Sequence, residues 1–143
     1  MGSNLGDRLG HLTYAVARLA DCFERLRVSP TIETAPVGVA GEQGPFLNGA
    51  VAGETPLSAR DLLERLLAIE ADRGRERPFP GAARTLDLDL ILFGDRIIDE
   101  PGLIVPHPRF RERSFVLEPL AKIAADMVDP VTGKTVAELA ARL

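Results

Sequence analysis

Residues 85–93 alternate so regularly that they read as the best strand in the chain. Leu86, Leu88, Leu90 and Leu92 fall on one side, and Thr85, Asp87, Asp89 and Ile91 on the other. Alternate residues of a strand point to one face, so the carboxylates of Asp87 and Asp89 emerge side by side. Aspartate is a poor strand former, and two like charges that close repel unless a cation sits between them. A hard-oxygen pair of this kind suits Mg²⁺, which takes one or two protein carboxylates together with substrate phosphates. The plainer reading is a solvated polar face on a half-buried strand.

The surrounding pattern is mixed. Leu9, Leu12, Val16, Leu19 and Phe23 follow helical spacing and predict a helix over roughly 6–24. Residues 26–34 alternate, with Pro30 marking an edge strand, and residues 46–54 read as a second strand. Gly and Pro make a loop of the stretch between them. Ser58 with Asp61 starts a helix that runs toward Gly74. After 85–93, Gly94-Asp95 turns toward Ile97-Ile98 as a hairpin partner, and 99–113 reads as irregular. A helix over about 114–125 follows, then a capping box at Thr135 and Glu138. This order predicts one α+β domain over residues 1–143, an antiparallel sheet with helices on one face and a helical C-terminal tail. One strand ahead of residue 1 would complete the ferredoxin-like order β-α-β-β-α-β; here Met1 to Leu5 can supply only a stub.

Composition narrows the function. A net charge of -4, from 17 basic and 21 acidic residues, argues against a nucleic-acid partner. No apolar run is long enough to span a membrane, and the lone Cys22 rules out an intramolecular disulfide framework, which suits a cytoplasmic setting. The basic residues cluster: Arg73, Arg75, Arg77 and Arg84 in one segment, Arg109, Arg111 and Arg113 in another. An acidic chain that gathers arginines in two short segments holds a small anion more readily than a long polymer. Beside the aspartate pair, such guanidinium groups meet the demands of phosphoryl transfer. His107, stiffened between Pro106 and Pro108, is either an exposed loop residue or a phosphate contact. Phe46 and Phe115 can each be core, but Asn48 sets an amide one pleat from Phe46, a combination that recognises planar heterocycles. No Gly-rich loop followed by Lys-Ser/Thr is present, so phosphate handling would rest on metal and arginine.

The run Arg84-Thr85-Leu86-Asp87-Leu88-Asp89-Leu90-Ile91-Leu92-Phe93-Gly94 closely resembles the signature of the 6-hydroxymethyl-7,8-dihydropterin pyrophosphokinases of folate synthesis. Gly2-Ser3-Asn4-Leu5-Gly6-Asp7 resembles that family's opening motif. Thr34-Ala35-Pro36-Val37-Gly38, Phe46-Leu47-Asn48, Ile69-Glu70, Val105-Pro106-His107-Pro108-Arg109 and the run from Arg113 to Leu120 follow in the family's order. The resemblance covers essentially the whole chain. It implies a ferredoxin-like monomer that transfers pyrophosphate from ATP to the pterin's hydroxymethyl group, giving AMP. It also implies two Mg²⁺ ions on Asp87 and Asp89, with Arg75, Arg77 and Arg84 acting on the transferring group. Glu70, Leu90, Ile104, His107 and Arg113 would line the ATP site. Phe46, Asn48, Phe115 and the stretch Thr34, Ala35, Pro36 and Val37 would hold the pterin.

The sequence departs from the family in three places. Phe79, or small residues near Ala82, stand where members can carry Trp, and residues 78–83 are about one position short. The family's opening apolar strand is largely missing from this chain, which begins at the Gly-Ser-Asn motif. Open ladder positions beside the aspartate strand would then make the chain marginal or self-associating. Two other functions fit parts of the pattern. One is a catalytically impaired ferredoxin-like module that binds a small ligand. The other is a metal-dependent nucleic-acid hydrolase, against which the -4 charge counts.

Overall fold

A computed structural model of the chain describes residues 1–4, 6–35, 45–73 and 85–143. Strand β1 (Gly2–Ser3) leads to helix α1 (Arg8–Leu19), whose first turn is capped by the Asp7 carboxylate accepting from the Gly10 N–H. Strands β2 (Glu24–Val28), β3 (Ile32–Thr34), β4 (Phe46–Asn48) and β5 (Val51–Glu54) follow. Helix α2 (Ala59–Asp72) starts on the Ser58 cap, as its Ser-x-x-Asp spacing predicts. Then come β6 (Ile98–Glu100), β7 (Leu103–Val105), a 3₁₀ turn at Phe110–Glu112, α3 (Ser114–Ala124) and α4 (Val136–Ala141). The Thr135–Glu138 capping box forms as expected.

The fold is α+β with antiparallel pairing throughout its strands: β1-β4-β3, β2-β5 and β6-β7. Leu12, Ala15 and Leu19 of α1 pack with Leu62, Leu66 and Ile69 of α2 and with Leu86 and Leu88. On β5, Val51 joins that cluster, whereas Ala52 joins the second one, built by α3, α4 and Phe110. Adjacent strand residues face opposite ways, so α1 and α2 cover one side and the C-terminal helices cover the other.

Several expectations need correction. The strand expected over 26–34 is two strands, because the chain changes partners at Ser29-Pro30. The Ser29 N–H donates to the Ala50 carbonyl and its hydroxyl accepts from the Ala50 N–H, while Pro30 has no N–H for a ladder. The strand expected over 46–54 divides at the matching point, Gly49-Ala50, where the Gly49 N–H donates to the Met1 carbonyl. The Ile97-Ile98 partner is also misplaced. Ile98–Glu100 pairs instead with Leu103–Val105 across Pro101-Gly102, so 99–113 is not wholly irregular. Gly102 has φ +75, and proline followed by a positive-φ glycine is the type II turn signature.

The largest correction concerns 85–93, which does not form a strand. Its one ladder contact is the bridge of Asp87 to Gly2, with both N–H···O bonds made at 2.8 and 2.9 Å. Strand pairing needs consecutive partners, and β1 supplies one residue on this side. The predicted faces hold only as far as Asp89: Leu86 and Leu88 are 1% and 8% exposed, Asp87 is half-buried and Asp89 is exposed, whereas beyond it Ile91 and Leu92 both pack against the second core cluster. Both edges of β1 are engaged, by β4 and by Asp87.

Candidate active site

A cleft of about 1130 Å³ brings most of the expected site residues together. Asp87, Asp89 and Leu90 line one part of it, and Thr34, Ala35, Phe46 and Asn48 another. His107, Arg113 and Phe115 complete its border. Two expected nucleotide residues lie elsewhere. Ile104 sits on the outer hairpin and is 50% exposed. Glu70 is 2% exposed, and its Oε2 accepts from the Leu88 N–H at 2.7 Å. It therefore holds the backbone between the two aspartates. Arg75, Arg77, Arg84, Pro36 and Val37 lie outside the described residues.

Local structure explains each placement. The Asp87 bridge to Gly2 and the Leu88 bond to Glu70 fix the backbone on which both aspartates alternate. The Asn48 Nδ2 donates to the Thr34 Oγ1 at 2.6 Å, across the paired strands β3 and β4. A Cβ on Gly2 would stand 2.8 Å from the Asn48 Oδ1. Glycine at position 2 therefore leaves room for the amide, which presents its Oδ1 as an acceptor.

His107 is oriented by its own turn. The Arg109 N–H donates to its Nδ1 at 3.2 Å, so in the neutral ring the proton resides on Nε2. Burial pushes the imidazole below its usual range, with Arg113 and Arg109 pushing the same way against Asp89 and Asp87. The neutral ring then serves as a hydrogen-bond donor rather than a fixed charge.

Arg109, Glu112 and Ser114 also line the cleft, and none of the three was singled out for the site from sequence. For Arg109 the signal existed in the clustered arginines. The structure separates that cluster: Arg109 and Arg113 line the cleft, Arg113 lying 5.5 Å over the Phe115 ring, while Arg111 pairs with Asp129. At the other arginine segment, the Thr85 Oγ1 donates to the Arg73 carbonyl at 2.8 Å. Arg73 in turn donates to His11 Nδ1 and lies over the Tyr14 ring.

Asp87 and Asp89 form a donor set that fits Mg²⁺: hard oxygens on alternate residues of one segment, with Asp89 exposed to incoming ligands. Charges of both signs around one cleft, next to a wall of aromatic and amide groups, meet the needs of a phosphate-handling enzyme with a flat second substrate. Comparison with known proteins makes that class specific. The family model for 7,8-dihydro-6-hydroxymethylpterin-pyrophosphokinase matches residues 1–125, and the chain belongs to that family. The chain is 43% identical over 141 residues to the 2-amino-4-hydroxy-6-hydroxymethyldihydropteridine pyrophosphokinase of Synechocystis sp., covering 97% of this chain and 71% of that relative. It is 44% identical over 134 residues to the enzyme of that name from Bacillus subtilis, with coverage of 92% and 80%. The Pseudomonas aeruginosa enzyme is 40% identical over 146 aligned positions, with coverage of 99% and 87%.

Proposed function

We propose that this chain transfers the pyrophosphoryl group of ATP to the hydroxymethyl oxygen of 6-hydroxymethyl-7,8-dihydropterin, a step in folate biosynthesis. The hydroxyl oxygen attacks the β-phosphorus, the bond from that phosphorus to the α,β-bridging oxygen breaks, and AMP leaves as the hydroxyl proton is lost. The observation that carries this reading is the shared cleft. Carboxylates, guanidinium groups and an imidazole suited to polyphosphate border the same space as an aromatic and amide wall suited to a pterin.

Asp87 and Asp89 would hold two Mg²⁺ ions, which when bound neutralise phosphate charge and orient the polyphosphate. His107 donates from Nε2, and Arg113 and Arg109 add positive charge, on the nucleotide side together with Leu90. Glu70 supports this side through the Leu88 backbone. The family resemblance gives Arg75, Arg77 and Arg84 the transferring group and adds Ile104 to the nucleotide side. Phe46 and Phe115 would sandwich the pterin, with the Asn48 Oδ1 accepting from a ring N–H and Thr34 to Val37 supplying backbone contacts. The chain acts as one domain over residues 1–143 and as a monomer. The net charge of -4 supports small-molecule substrates over nucleic acid. No described helix is long and apolar enough to cross a membrane, and the buried single Cys22 suits the cytoplasm.

The test is product analysis with ATP, Mg²⁺ and the hydroxymethyl-dihydropterin. AMP and the pterin diphosphate should appear in equal amounts. ADP formation, or tight ATP binding without turnover, would contradict the proposal.

A further inference from the structure

The match to the family ends at residue 125, and the most buried of the described ion pairs reaches past it. Asp129 has a fully buried side chain. Arg111 donates to it twice, Nε to Oδ2 at 2.5 Å and Nη2 to Oδ1 at 2.9 Å. The Thr132 hydroxyl and the Val131 N–H satisfy the same carboxylate at 2.8 and 3.0 Å. The turn carrying Asp129 is itself closed, by its N–H donating to the Lys134 carbonyl and by the Val128–Thr135 bridge.

Arg111 lies in the 3₁₀ turn between Arg109 and Arg113. Its guanidinium also rests 4.8 Å over the Phe110 ring, and Phe110 is fully buried beside Val136 and Leu139 of α4. The C-terminal segment thus grips this turn twice, through an apolar side chain and through a planar two-point ion pair. Burial of Phe110 alone would anchor the turn. A forked pair adds direction, because both bonds form at only one orientation of the guanidinium plane. With Arg111 drawn toward Asp129, its neighbours Arg109 and Arg113 border the cleft alongside His107.

We propose that Asp129 and Arg111, neither of which lines the cleft, are positioning residues for the polyphosphate of ATP, so that the turn carrying Asp129 tunes nucleotide binding without touching it. The proposal rests on the assignment of His107 and Arg113 to the nucleotide side. A buried ion pair adds little stability over a well-packed apolar pair, so its distinctive contribution here is orientation.

Four single variants of the full chain, Asp129→Asn, Arg111→Lys, Val136→Ala and Arg113→Ala, are compared by ATP KM, pterin KM and melting temperature. Asp129→Asn should raise the ATP KM about tenfold and leave the pterin KM within about twofold, the size of effect that sub-ångström misplacement produces. Arg111→Lys keeps the charge but loses the fork, and should shift the ATP KM in the same direction even if Asp129→Asn fails to fold. Val136→Ala should lower the melting temperature with the ATP KM unchanged. An ATP KM that rises as much in Val136→Ala as in Asp129→Asn would reduce the pair to general stability and overturn the proposal. If Arg113→Ala raises the ATP KM and neither Asp129→Asn nor Arg111→Lys does, the positioning role alone falls. If Arg113→Ala also leaves it unchanged, the nucleotide assignment falls and the proposal with it.

Discussion

The backbone N–H of Leu88 donates to the Oε2 of Glu70 at 2.7 Å, in the buried layer between α2 and the aspartate segment. Leu88 stands between Asp87 and Asp89, so one helix carboxylate fixes the backbone from which both site carboxylates project. The bond replaces a ladder contact that this segment does not make.

Removing that acceptor should cost stability and turnover together. Glu70→Ala leaves the Leu88 N–H without this partner and should lower unfolding free energy by about 2 kcal/mol in urea titrations. It should also reduce kcat, because the aspartates lose their backbone support. Glu70→Gln keeps an acceptor oxygen and should lose less of both.

Asp87→Ala and Asp89→Ala should separate activity from folding. Each should lower turnover at saturating Mg²⁺ by at least about 100-fold, equivalent to about 3 kcal/mol. Both variants should still fold, since the bridge of residue 87 to Gly2 is made by backbone atoms. Near-normal turnover in either variant would remove that residue from the metal site.

Gly2→Ala should act on one substrate only. The new methyl would lie 2.8 Å from the Asn48 Oδ1 and displace an amide tied to Thr34. Pterin KM should rise about tenfold with ATP KM nearly unchanged, the effect of mispositioning one group in a binding wall. An equal rise in both constants would show instead that the whole cleft had shifted.

Asp129 gives a pH signature. Hydrogen bonding to Arg111 first, then to Thr132 and Val131, holds its carboxyl at about 2, below the ordinary 3.8. The folded state therefore binds the proton less readily than the unfolded chain. This contributes about 2 kcal/mol, present above pH 4 and lost as pH falls toward 2. Urea titrations across that window should show a shallower decline for Asp129→Asn than for the parent.

The sequence made the local features legible and left the distant partnerships hidden. The caps at Ser58 and Thr135 are contacts within four residues, and both form where their spacing places them. The two-residue period also placed Leu86 and Leu88 inward and Asp89 outward. It could not show that 85–93 lacks a ladder, because pairing depends on β1 more than 80 positions away. The breaks at Ser29 and Gly49 were hidden for the same reason, each resting on a hydrogen bond to a remote segment. Within the triplet Arg109, Arg111 and Arg113, the clustering was visible. Which guanidinium turns away from the cleft depends on Asp129, which carries no local mark of that pairing. Glu70 reads from sequence as a site residue beside Ile69, and its inward turn toward Leu88 becomes evident only once α2 is packed.

The fate of the β-phosphorus tests the central claim most directly. With ATP labelled at that atom, the account predicts that the label moves to the pterin while unlabelled AMP is released. Label remaining on the nucleotide, with only the terminal phosphate transferred, would contradict it.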